Sequence, residues 1–158
     1  MTARTVTNAT RVLDGKGAAY ELVEYAAQDF TAEEAVEKLG LPATDVFKTL
    51  VVKGDRTGPL AAVVPTDARL SSKKLARVSG NRTVTMVAVE EMERLTGYVK
   101  GGCSPFGMKK TLPLFVDASA AGKPRLYCSA GQRGVQLVLS GETLVAAAEA
   151  KTADLVED

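Results

Sequence analysis

The first residue of this sequence that could do chemistry is Lys48, a lysine inside the apolar run DVFKTLVVKG at 45–54. A strand lysine either carries its ammonium to water on a long stem or holds a specific anion. At a cleft it could steady a phosphate or a developing oxyanion. The second candidate is the segment GYVKGGCSPFGMKK at 97–110, where four glycines, one proline and three lysines exceed what a tight turn needs. Glycines admit positive φ and close ligand approach, so successive N–H groups there could cradle an anion or a carbonyl oxygen. It is not a Walker loop, because Gly101-Gly102-Cys103-Ser104 has the wrong spacing, and no GxGxxG fingerprint is present. The plain alternative is a β connection that merely needs glycine. A third segment, SAGQRGVQL at 129–137, adds another glycine turn, with Arg133 able to bind phosphate or cap a carboxylate.

What is missing narrows the chemistry further. The chain has no histidine, which removes His-based triads, His-containing zinc sites and histidine pH switches. Cys103 and Cys128 form no CxxC pattern and read as reduced thiols. Lysines or N–H dipoles could activate Cys103 as a nucleophile, yet no histidine can be its base and Ser104 has no Ser-x-x-Lys partner. Cys103 therefore reads first as packing or substrate contact, and Cys128 as a small buried hydrophobe. Asp14, Asp29, Asp45, Asp55, Asp67 and Asp117 are dispersed and declare no two-metal site. Neither a metal nor a cofactor is expected. Glu33, Glu34, Glu37, Glu90, Glu91 and Glu93 read as exposed helix faces.

With 158 residues, 46% hydrophobic and 25% charged, the chain reads as one globular domain over 1–158 with a sizeable core. The net charge of +1 is uninformative, but its distribution is not. Residues 21–45 are mostly acidic, whereas 98–133 carry Lys100, Lys109, Lys110, Lys123, Arg125 and Arg133 against Asp117 alone. That asymmetry fits a cationic rim beside a polyanion, or simply a solvated face. Without a signal-type run or an apolar span, a cytoplasmic protein away from membranes is the expectation.

Elements to position these residues follow from periodicity and caps. A short helix is predicted over 5–15 and an edge strand over 20–25. Thr31 with Glu34 predicts a reciprocally capped helix ending near Gly40. A strand from 45 to 53 pairs with LAAVV at 60–64 as a hairpin. Helices are predicted from Ser71 and over 90–95, with a strand over 83–89 between them. LFVDAS, RLYCSA and VQLVLS read as strands, and GETLVAAAEA as a helix before a polar, acidic tail. Short strands without long crossover helices favour a compact α+β fold, with a mixed, mainly antiparallel sheet curled or barrel-like and helices around it.

In order and spacing, DVFKTLVVKG, AAVVP at 61–65, LSSKKLA at 70–76, GYVKGGCSPFGMKKTLP at 97–113 and YCSAGQRGVQLVLSGETL at 127–144 resemble the YbaK/EbsC family of bacterial Cys-tRNA(Pro) deacylases. That family is related to the editing insertion of bacterial prolyl-tRNA synthetase, and the resemblance covers roughly 5–155. It implies the barrel-like α+β fold and trans-editing of misacylated tRNA, chiefly Cys-tRNA(Pro) and also Cys-tRNA(Cys). The alternatives are a deacylase for Ala-tRNA(Pro) or another small amino acid, and a noncatalytic tRNA- or synthetase-binding module. The resemblance assigns catalytic roles to Lys48, Gly101 and Gly102, with Lys48 orienting the ester. It assigns substrate contact to Tyr20, Phe30, Lys48, Cys103, Ser104, Pro105, Gly107, Ser129, Gly131, Arg133 and Gln136. The implied partners are the tRNA acceptor end and prolyl-tRNA synthetase. The sequence departs from the family pattern at Gln136, often an acid, and at Cys103, often aliphatic. The cleavage implied is hydrolysis, or a lyase reaction if the substrate's own thiol attacks.

Overall fold

The structure is a computed structural model that describes residues 5–158. Hydroxyl caps set most helix starts. Thr7 Oγ1 accepts from the Thr10 N–H, and Thr10 Oγ1 accepts from the Thr7 N–H at 2.8 Å, to open α1 (Asn8–Gly15). After β1 (Glu21–Glu24), Thr31 accepts from the Glu34 N–H at 3.2 Å to open α2 (Ala32–Leu39). The reciprocal half of that predicted cap does not form, because the Glu34 carboxylate instead accepts from the loop ahead of the helix.

The predicted hairpin is β2 (Phe47–Gly54) with β3 (Gly58–Pro65), in register from Phe47 opposite Pro65 to Gly54 opposite Gly58. The last six residues of β3 are all buried, because the strand lies inside a sheet covered on both faces. Leu60, Ala62 and Val64 pack with Leu75 of α3 (Ser72–Ser79), whereas Ala61 and Val63 join clusters on the other side. The strand predicted over 83–89 shortens to β4 (Val84–Met86), since Ala88 already serves as N-cap of α4 (Val89–Thr96).

Next come β5 (Leu114–Asp117), β6 (Leu126–Gln132), β7 (Val135–Leu139) and α5 (Gly141–Ala148). The expected polar tail contains a further strand, β8 (Lys151–Ala153), parallel to β5. It is anchored by the Asp117 carboxylate, which accepts from the Leu155 N–H at 2.9 Å, and by Leu155 itself, which is fully buried.

The α+β class holds, but the strands form two sheets where one curled sheet is expected. One is antiparallel in the order β1-β7-β6, and the other is mixed in the order β4-β2-β3-β5-β8. They meet where Val46 bridges Tyr127 and the Tyr127 N–H donates to the Asp45 carbonyl at 2.8 Å. Phe47, Val63, Phe106, Val116, Leu126, Leu137 and Leu144 form the core cluster that joins them. Each such burial contributes about 1.5–3 kcal/mol. No helix among the described residues is long and apolar enough to cross a membrane.

Candidate functional site

The start of β2 and the loop after α4 wall one cavity of about 270 Å³. Phe47, Lys48, Thr49 and Leu50 come from β2, Gly101 and Cys103 from the loop, Ser129 from β6 and Gln136 from β7. Tyr25, Phe30 and the first residues of α2 close the remaining side. Lys48 is half-buried and, among the described residues, makes no ion pair or side-chain hydrogen bond. Two buried polar atoms in this cavity lack any partner, Thr49 Oγ1 and Gln136 Oε1. Leaving such atoms unmet costs free energy.

The loop from 97 to 110 is tied shut on itself. The N–H groups of Lys109 and Lys110 return to the carbonyls of Thr96 and Leu95 at 2.8 and 3.0 Å, and the Tyr98 hydroxyl donates to the Phe106 carbonyl at 2.5 Å. Burial pushes the Tyr98 phenol well above its ordinary value, keeping it a hydrogen-bond donor. Gly101 stands at φ +85 against Phe30, and a methyl group there would sit 2.5 Å from Phe30 Cβ.

Phe30 is itself at φ +59, an uncommon conformation for an aromatic residue. It is held from two sides. The Glu34 carboxylate accepts from the N–H groups of Gln28, Asp29 and Phe30 at 2.8, 3.0 and 3.3 Å and pairs with Lys38 at 3.0 Å. Burial would push that carboxyl up, but the N–H groups and Lys38 outweigh it and hold it at about 2. From above, the Arg133 guanidinium lies 3.8 Å from the Phe30 ring centre while its Nε donates to the Lys100 carbonyl at 2.7 Å. Arg133 thus closes the wall by bridging Phe30 to the loop.

Of the residues singled out in the sequence, Phe30, Lys48, Gly101, Cys103, Ser129 and Gln136 share this cavity, and Arg133 touches its wall. The others lie elsewhere. Gly102 is buried and its N–H already donates to the Val99 carbonyl at 2.9 Å, whereas the Gly101 N–H has no acceptor among the described residues. Ser104 is fully buried, and its Oγ accepts from the Phe106 N–H. Pro105 and Gly107 line a different cavity behind the loop, where Gly107 presses on the backbone of Asn8. Gly131 makes room for the Tyr98 ring.

Tyr20 bonds Asp14 at 2.8 Å and faces a cavity with Pro124 and Arg125. Tyr25 is the tyrosine at the site; five positions along an extended segment place the two on opposite faces. Burial raises its phenol, with Glu34 adding to the shift. Thr49 and Tyr25 join the cavity in addition to the residues singled out in the sequence. The threonine's signal was its place beside Lys48, and the tyrosine's was the odd spacing from Tyr20.

The basic asymmetry is partly absorbed by structure. Lys123 pairs with Asp45 at 2.9 Å and Arg125 with Glu21 at 3.5 Å, while Lys100, Lys109 and Lys110 are exposed. Burial pushes the Cys103 thiol up to about 12, so it is protonated at neutral pH and a poor nucleophile. No group of three or more His, Cys, Asp or Glu side chains among the described residues could hold a metal ion.

Residues 27–147 match the aminoacyl-tRNA editing domain family. The chain is 38% identical over 151 residues to a protein of Enterococcus faecalis named for Cys-tRNA(Pro)/Cys-tRNA(Cys) deacylation, EbsC, covering 94% of this chain and 92% of that one. It is 32% identical over 111 residues to the proline–tRNA ligase of Shouchella clausii, covering 70% of this chain and 19% of the ligase. A solved structure described as a trans-editing enzyme for prolyl-tRNA synthetase aligns with a TM-score of 0.85 at 29% identity, over 98% of this chain and 100% of that one.

Proposed function

Because the chain belongs to the aminoacyl-tRNA editing domain family, we propose that it is a single-domain, cytoplasmic aminoacyl-tRNA deacylase that acts in trans. Its leading substrate is Cys-tRNA(Pro), with Cys-tRNA(Cys) second. The observation that carries this reading is the cavity that gathers Lys48, Gly101, Ser129 and Gln136 around two buried, unpartnered polar atoms. The aminoacyl group enters this cavity, and Lys48 steadies the terminal phosphate or ribose at its mouth. The Gly101 N–H offers a donor to the carbonyl oxygen as charge develops there. Gln136 Oε1 accepts from the substrate's amino group.

No histidine base is required, because a cysteinyl substrate carries its own nucleophile. Its thiolate attacks the ester carbonyl, the bond to the ribose oxygen breaks, and that oxygen leaves with the electron pair and takes up a proton. The resulting β-thiolactone is opened by water to cysteine. Holding thiolate and carbonyl together is worth up to about 7–11 kcal/mol in favourable intramolecular cases. An alanyl ester lacks this route and must wait for water.

A domain of this size has room for the acceptor end but little surface for an anticodon, so prolyl-tRNA synthetase is the partner that selects the tRNA. Incubation with Cys-tRNA(Pro), Cys-tRNA(Cys), Ala-tRNA(Pro) and Pro-tRNA(Pro) tests the reading. Release of cysteine with proline left attached is the expected result. Binding without release of any noncognate amino acid would sink it.

A further inference from the structure

A second cavity, of about 250 Å³, shares Thr49, Leu50, Gly101 and Cys103 with the Lys48 cavity. Three other cavities, behind the loop and beside α1 and β1, share no lining residue with it. The far wall of this neighbour is apolar, formed by Met86, Val89 and Met92, with the exposed Lys100 at its rim. Met86 is 59% exposed and Val89 43% exposed, and Val99, beside Lys100 in the chain, is 47% exposed. An apolar shelf left open next to a polar cavity calls for a ligand with one polar and one apolar part.

We propose that this shelf holds the terminal adenine of the tRNA acceptor end. The inference rests on the deacylase reading of the Lys48 cavity. With the ester there, the terminal ribose lies one bond away, at the shared wall of Thr49 and Gly101, and its base must lie alongside. The shelf is the surface that continues from that wall. A purine presents a flat apolar face, and methionine thioethers pack well against aromatic rings. Lys100 supplies a cation to the phosphate joining the last two nucleotides. The wall facing the base offers Met86, Val89 and Met92 and no side-chain amide or carboxylate. On that wall the base is held by its shape and its apolar face.

The test uses the whole protein and tRNA(Pro) ending in 2-azidoadenosine, with alanine attached through a stable amide. Irradiation and peptide mapping should place adducts on Met86, Val89 or Met92. In parallel, Met86→Ser should lower kcat/KM for Cys-tRNA(Pro) by about tenfold, mainly through KM. The same substitution should leave a substrate with an abasic terminal ribose unchanged, and replacing the adenine by unsubstituted purine should cost the wild type little. Adducts confined to other elements, as expected if the shelf serves a protein partner, would overturn the proposal. So would an equal loss by Met86→Ser on the intact and abasic substrates. Failure of the wild type to release any amino acid would instead count against the deacylase reading, while the adduct map would still decide the shelf.

Discussion

Replacing Gly101 by alanine perturbs the site at its tightest point. The residue is at φ +85, and an added methyl group would lie 2.5 Å from Phe30 Cβ and 2.7 Å from the Phe30 carbonyl oxygen. A left-handed alanine costs about 1–2 kcal/mol, and forcing a methyl into a filled space adds about 1–3 kcal/mol. If the Phe30 loop holds its place, the total is about 2–5 kcal/mol, a fall of roughly 4–20 °C in melting temperature for a domain of this size. If the loop yields, the stability cost is smaller, but Phe30 leaves the cavity wall and Arg133 loses its platform. Deacylation then falls by about 100-fold, the scale of an ångström misplacement.

Gly80→Ala is the control. Gly80 has a similar φ of +81 with nothing within 4 Å of an added methyl group, so it carries the backbone cost alone. Melting curves and Cys-tRNA(Pro) turnover of the two variants separate the contributions. If Gly101→Ala melts like Gly80→Ala and keeps turnover within about twofold of wild type, the account of the Phe30 wall is wrong.

Cys103→Ser should keep turnover within about tenfold of wild type, with no covalent intermediate in a rapid quench, since burial keeps the thiol protonated until about 12. Accumulation of an acyl-enzyme on the wild type, lost in the variant, would contradict this. The Glu34 carboxyl, held at about 2 against an ordinary 4.5, stabilises the folded chain fully above about pH 4.5 and loses that effect as pH falls towards 2. Urea midpoints should therefore show Glu34→Gln less stable than wild type at about pH 6, with the gap narrowing by about pH 3 and closing only towards pH 2. A gap that does not change with pH would refute the carboxylate's role.

Most of the helices were legible because their starts carry hydroxyls at the N-cap, as at Thr31, Ser71 and Ser140; α4, capped by Ala88, is the exception. β8 was not, since Lys151, Thr152 and Ala153 have no apolar alternation and pair only because β5 offers a free edge. In the site, Lys48 and Gly101 were visible as a lysine in an apolar run and a glycine excess. The SPFG half of the same loop looked equally functional, yet it serves as a buttress. Ser104 caps the turn, and Gly107 makes way for Asn8, contacts that depend on packing with α1. Glu34 read as a surface acid because its partners, the N–H groups of 28–30, become acceptable donors only once Phe30 adopts its left-handed turn.

Single-turnover release of cysteine from Cys-tRNA(Pro), with enzyme in excess, compares wild type with Lys48→Ala most directly. Losing the Lys48 ammonium, which lines the cavity, should slow release by about 100-fold while the melting temperature stays within about 2 °C of wild type. Equal rates for the two proteins would contradict the claim that this cavity is where the ester is cleaved.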